Sequence, residues 1–311
     1  MLPCRLRVFA IYPSKRRGLH DRRRTDCFAK DVGPLAPKFG CMLPLNSDYN
    51  HILEITRTCE HLCYDSVWAF DHLAPFWVKS GASLECWTTL ASLAGHTKEI
   101  KLGSLVTNAN LRHPSLLAKI TSTLDIISDG RLIVGLGTGD RLSRNELTSY
   151  GYRYGTTEDR VERLRETVLI LKGLWTSDDF SFAGRFYRLS HARLEPKPVQ
   201  HPHPPLWIGG KHGKLMDVII ELADGWNYWG ITRKQLSERA NYLRERTSRT
   251  HLNSNHIVKS WSGNIPPSLS TDDLLDYLKK RSDATTEYFI GYFEVTKRKN
   301  LERFADAVSK L

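Results

Sequence analysis

A chain of 311 residues, 41% of them hydrophobic and 25% charged, is long and apolar enough to bury a large core, and α/β barrels of this size are commonly one domain. It holds no apolar run of about 18 residues, which excludes an ordinary membrane-spanning helix. Its net charge of +11 sits mostly at one end and its six cysteines lack paired or metal-like spacing, so a general nucleic-acid surface, a zinc module and a disulfide framework are all disfavoured.

The first predicted unit is a basic extension over residues 1–37, with nine Lys or Arg side chains against Asp21, Asp26 and Asp31, a net +6. It has no sustained periodicity and reads as a solvated, disordered segment or an over-early translation start; three acids and little serine argue against a transit peptide. From Lys38 the punctuation becomes regular. Residues 39–45 form a short apolar strand, and 49–63 carry apolar side chains near helical spacing. Within that helix Cys59 and Cys63 stand one turn apart, which reads as core packing in a reducing cytoplasm. Strand two is 66–70, followed by helix 84–94, strand 100–106 and helix 114–127. The turn Ser128-Asp129-Gly130 announces strand four over 131–136, and the clearest helix runs over 158–175, with Val161, Leu164, Val168, Leu171 and Trp175 on one side. Strands five to eight fall at about 205–208, 224–228, 256–261 and 286–291, again alternating with helices. This order predicts an α/β fold closed into a (β/α)8 TIM barrel over residues 38–311. The interruption at 176–204 is an insertion after the fourth helix, with Phe180, Phe182, Phe186 and Tyr187 arranged around Gly184 as in a β-hairpin.

In such a barrel the carboxyl ends of the strands form the active face. Strand two delivers Asp71-His72, strand three Ser104 to Asn108, strand four Gly135-Leu-Gly-Thr-Gly139-Asp140, strand five Gly209-Gly210, and strand six Asn227 with Trp226 and Trp229 beside it. The Gly135-x-Gly-x-Gly139 run is not a dinucleotide fingerprint, because a polar stretch of about 18 residues precedes the next predicted helix and the loop cannot rest on a helix end. Gly209-Gly210 before Lys211 suits a phosphate, since glycine lets the backbone approach an anion.

These residues carry a family resemblance. Tyr64-Asp-Ser-Val-Trp68, Asp71-His72, Leu102-Gly-Ser-Leu-Val-Thr107, Arg112-His-Pro114, Ser128-Asp-Gly-Arg-Leu132, Gly135-Leu-Gly-Thr-Gly139, Asn145-Glu146, Gly184-x-Phe-Tyr187, Pro196-Lys-Pro198 and Pro205-Leu-Trp-Ile-Gly-Gly210 occur in the order found in the bacterial-luciferase-like flavin oxidoreductases. Within them, Asp71-His72-Leu-Ala-Pro75-Phe76-Trp77 resembles the strand-two motif of enzymes that use the deazaflavin coenzyme F420. The resemblance implies a hydride-transferring oxidoreductase that binds coenzyme F420, with FMN and an oxygen-consuming monooxygenase fed by a separate flavin reductase as the alternative, and a non-catalytic flavin-binding barrel as the third reading. It implies His72 as acid or base, Asp71 orienting it or the ring, and Asp140 where some relatives carry a glutamate acid. It also implies a non-prolyl cis peptide near Ser104-Leu105 behind the ring; Ser104, Leu105, Thr107, Gly139, Asn145, Gly209, Gly210 and Lys211 around the cofactor; Phe76, Trp77, Trp226 and Trp229 around a small-molecule substrate; no metal; and a cytoplasmic homodimer.

Overall fold

The computed structural model of the chain describes residues 37–75, 81–140, 143–211, 213–230, 233–249, 257–283, 285–293 and 296–311. The basic extension predicted for 1–37 lies, except for its last residue, outside the described residues, as do Phe76 and Trp77.

Eight parallel strands close into a barrel: β1 (Lys38–Met42), β2 (Ser66–Ala69), β3 (Lys101–Ser104), β5 (Leu132–Gly137), β8 (Leu206–Gly209), β9 (Gly225–Trp229), β10 (Val258–Ile265) and β11 (Tyr288–Phe293). Their order is β3-β2-β1-β11-β10-β9-β8-β5, with β5 returning to β3. The short β4 (Thr107–Asn108) continues the third strand beyond a bend and pairs with β5 at Leu136 and Gly137. Helices α1 (Tyr49–His61), α2 (Cys86–His96), α3 (Pro114–Ile127), α5 (Thr157–Thr176), α6 (Gly213–Leu222), α7 (Arg233–Arg249), α8 (Thr271–Lys279) and α9 (Arg298–Ser309) alternate with those strands. The helix of Cys59 and Cys63 ends earlier than its apolar stripe suggests: Cys59 is buried, whereas Cys63 lies past the last turn at φ 59°.

Alternation along each strand builds two cores. Outward side chains pack under the helices, while Met42, Trp68, Leu105, Ile133, Trp207, Tyr288 and Ile290 fill the barrel. Trp68 and Trp207 lie 5.0 Å apart between ring centroids, and Tyr288 meets Trp207 edge-on at 5.2 Å. That plug fits because Gly103 faces the Trp68 ring; a Cβ there would come within 2.3 Å of it. The single Ser66 hydroxyl accepts from Trp68 Nε1 at 2.6 Å and bonds the Tyr288 hydroxyl at 2.7 Å, so both buried polar groups are satisfied.

Two features sit outside the repeat. The insertion forms the predicted hairpin, β6 (Phe180–Ala183) antiparallel to β7 (Arg188–Ala192). The Glu166 carboxylate on α5, 2% exposed, accepts the backbone N–H groups of Arg185 at 2.5 Å and of Phe186 and Tyr187 at 3.0 Å, docking the turn. The second is α4 (Ser143–Ser149), a seven-residue helix inside the stretch read from sequence as polar loop. It is too short to show a periodic stripe and is held by its cap and by tertiary contacts rather than by propensity.

Candidate active site

At the carboxyl ends of the strands a cavity of about 790 Å³ opens above the aromatic plug. Its lining is apolar where Met42, Leu105 and Val106 border the plug, and it carries polar and cationic side chains in His72, Asn108, Asn227, Arg160 and Lys211.

Strand two carries Asp71 and His72 to this mouth, and the two side chains separate there. Asp71 is 3% exposed and forms a bidentate pair with Arg112, whose Nη1 and Nη2 lie 2.6 and 3.0 Å from the two carboxylate oxygens. It also accepts the Asn108 backbone N–H at 3.3 Å, and Arg112 reaches on to Glu85 at 2.5 Å. Burial pushes the Asp71 carboxyl up, against the pull of the Arg112 charge. Asp71 therefore ties the second strand to the loop after the third.

The His72 Nδ1 lies 2.8 Å from Glu146 Oε2. The other Glu146 oxygen accepts the backbone N–H of Ala74 at 3.0 Å and that of Leu73. Burial alone would raise the Glu146 carboxyl, but the hydrogen bond and charge of His72, with the two N–H donors, hold it below the usual carboxylate range. A carboxylate facing Nδ1 places a proton on that nitrogen, which makes Nε2 the ring's acceptor.

Asp140, expected as an acid, lines the cavity differently. Its Oδ1 accepts the N–H and hydroxyl of Ser143, each at 2.8 Å, so it caps α4. The carboxylate that meets the imidazole is Glu146 on the helix so capped. Asn145, one residue earlier, is exposed and off the cavity because the helix turns it away. Ser104 also lies outside the lining: its hydroxyl donates to the Gly135 carbonyl at 2.9 Å and accepts the Gly135 N–H at 3.2 Å, joining β3 to β5. Thr107 is fully buried and does not line the cavity. Leu105 does, and the non-prolyl cis peptide is Leu105–Val106, within one residue of Ser104–Leu105 as expected.

Gly139, Gly209, Gly210 and Lys211 all border the cavity. The Gly210 N–H, however, donates to Asn227 O at 3.1 Å within the sheet, so that group is not available to an anion. Lys211 and the opening turn of α6 remain on that side. Trp229 faces the cavity, whereas Trp226, three residues earlier, is fully buried among the helices with its Nε1 donating to Gly210 O at 2.7 Å; strand alternation puts it on the opposite side from a substrate. Arg160, which the sequence reading missed, stands on the first turn of α5, with its guanidinium 4.1 Å from the Tyr154 ring and Nη1 3.1 Å from Gly155 O. A lone arginine at the start of a strong helix carries no signal of its own.

The mouth fits a flavin-type group: an apolar base broad enough for a ring system, a buried amide donor on Asn108 that has no protein partner, and cations at the rim for an anionic tail. Among the described residues no cluster of three metal-ligating side chains exists, and no helix is long and apolar enough to cross a membrane.

Residues 34–258 match the family model of the luciferase-like monooxygenases, and the chain belongs to that family. Among its relatives is an F420-dependent hydroxymycolic acid dehydrogenase of Mycobacterium tuberculosis, 31% identical over 171 residues, which is 55% of this chain and 46% of that protein. An F420-dependent glucose-6-phosphate dehydrogenase of Amycolatopsis mediterranei is 31% identical over 150 residues, covering 48% and 44%. The matches thus span less than half the length of those curated relatives. In three dimensions the chain superposes on an F420-dependent secondary alcohol dehydrogenase, solved with an F420-acetone adduct, at a TM-score of 0.76 and 16% identity over 88% of this chain and 98% of that one.

Proposed function

We propose that this protein is an F420-dependent oxidoreductase that dehydrogenates a small organic alcohol, or runs the reverse reduction. The observation that carries the reading is the His72–Glu146 pair, oriented through Nδ1 at the mouth of a cavity that suits a tricyclic ring. Coenzyme F420, when bound, supplies a carbon that takes up or returns a hydride. The apolar base would hold its ring, and Lys211 with Arg160 its anionic tail. The chain's own part is to manage the proton. As hydride leaves the carbinol carbon, the hydroxyl proton passes to His72 Nε2 and the C–O bond becomes a carbonyl. Glu146 keeps the imidazole in the accepting tautomer and stabilises the cation that forms, while Trp229 and the apolar wall exclude water. The relatives named for F420-dependent dehydrogenases support this choice over FMN.

Parallel titration with F420 and FMN tests it, followed by turnover and oxygen uptake. Tighter F420 binding, with hydride transfer that consumes no oxygen, is the expected result; preferential FMN binding with oxygen-dependent turnover would transfer the site to the monooxygenase reading. A homodimer would cover Leu116 and Ile127, 56% and 48% exposed on one face of α3.

A further inference from the structure

Asp140 borders the cavity, yet one oxygen of its carboxylate is committed to its own chain: Oδ1 accepts both the backbone N–H and the hydroxyl of Ser143 at 2.8 Å, as a cap on α4. The backbone of the capping residue is held as well. The Tyr154 hydroxyl donates to Asp140 O at 2.8 Å, and the Tyr154 ring packs against the guanidinium of Arg160 at 4.1 Å and, more distantly, that of Arg144 on α4 at 6.0 Å. A helix of seven residues is not stable by itself, and the buried residues of α4 are Ser143 and Leu147. Its place therefore depends on what grips its first turn. Ser143 and Glu146 are three positions apart and share a face, so the turn that Asp140 holds is the one that carries the carboxylate 2.8 Å from His72 Nδ1.

We infer that Asp140 is a positioning residue for the proton transfer: by capping α4 it keeps Glu146 against Nδ1 of His72, and so keeps the proton acceptor at Nε2. Tyr154 acts one step further out, by holding the capping residue itself. This role presupposes the one proposed above for the His72–Glu146 pair, and it takes from Asp140 the part of an acid that its place in the sequence suggests.

Two substitutions separate a cap from an acid. Asp140→Asn keeps a good capping oxygen but cannot donate or take up a catalytic proton, whereas Asp140→Ala removes the cap. With F420 and whichever alcohol supports turnover, Asp140→Ala should lower kcat by about fivefold or more, the factor a lost helix cap typically carries, and leave KM little changed, while Asp140→Asn should stay within about threefold of wild type. An acid would instead lose about 100-fold or more in both variants alike, and that result overturns the inference, as does wild-type kcat in Asp140→Ala. The tautomer is read without substrate, from 15N-histidine spectra in which the His72 ring is identified by its loss in His72→Asn. Its proton should sit on Nδ1 in wild type and in Asp140→Asn, and should redistribute toward Nε2 in Asp140→Ala; an unmoved signal overturns the inference. Because the spectra need no turnover, a wild-type protein that never turns over with F420 overturns the proposed function while the tautomers still decide what Asp140 does. Should Asp140→Ala not fold, Tyr154→Phe decides: it removes only the hydroxyl that holds Asp140 O and should move the His72 signal in the same direction by a smaller amount, and a spectrum identical to wild type overturns the inference.

Discussion

Replacing Glu146 by glutamine changes the proposed chemistry without changing the shape of the site. The amide carbonyl can still accept from the backbone N–H groups of Leu73 and Ala74, but the atom facing His72 Nδ1 becomes an N–H donor. The imidazole must then present a lone pair at Nδ1 and carry its proton on Nε2, the wrong tautomer for taking a proton from substrate. General acid-base catalysis of this kind typically contributes 10²–10⁴-fold, so kcat should fall by about 100-fold or more while the Kd for F420 moves by less than about threefold. Stability should fall only modestly, by about 1–2 kcal/mol, as charge-assisted bonds become neutral ones. That loss has a definite pH dependence. The Glu146 carboxyl titrates lower in the folded protein than in the unfolded chain, so its stabilisation is complete above the ordinary carboxylate range of about 4.3 and disappears as the pH falls through the folded value. The difference in Tm between wild type and variant should therefore be largest near neutral pH and close on acidification. Turnover would be followed by F420 absorbance on whichever alcohol of a screened panel supports it. A variant with near wild-type kcat would refute the role given to this pair.

Other perturbations have equally definite outcomes. His72→Asn should lower turnover by about 100-fold with F420 affinity little changed; a larger effect on Tm than on kcat would assign the ring to packing. Arg112→Met strands the Asp71 carboxylate in the interior and should cost about 3–5 kcal/mol at neutral pH, partly recovered at acidic pH where the upshifted carboxyl is protonated; a Tm change no larger than that of a surface substitution would contradict the pairing. Gly210→Val should weaken cofactor binding, because φ is +142° there and a Cβ would lie 2.4 Å from Leu215 Cδ2 on the helix that faces the ligand; unchanged titration curves would remove this turn from the site. Glu166→Ala should release the hairpin turn and lower stability by about 2–3 kcal/mol, measured by denaturant titration.

The barrel was legible because its signal is local and repeated: eight apolar segments, each bounded by turn residues and followed by a helical stripe. The positions along each strand were legible too, but the direction of a side chain was less so. Trp226 and Trp229 are both aromatic and three residues apart, and period two sends one to the helices and the other to the mouth; only the register of β9 against β8 decides which. Asp140 and Glu146 illustrate a different limit. An acid six residues before another is readable, but that the first caps a short helix and the second faces His72 follows from α4, whose seven residues carry no periodic signature. The partners His72 and Glu146 are 74 positions apart, and it takes the pairing of β2 and β5 on either side of β3 to bring the second and fourth strand ends together. Asn108 was equally hidden, since the value of its amide lies in what it fails to contact.

The grip of Glu146 on the backbone of Leu73 and Ala74 gives the site a meter of its own. Those two amides exchange with solvent hydrogen only when the carboxylate lets go, so their exchange rates count how often the His72–Glu146 pair opens. The count requires no substrate, and a ligand that seats against His72 and closes the rim should slow both amides together.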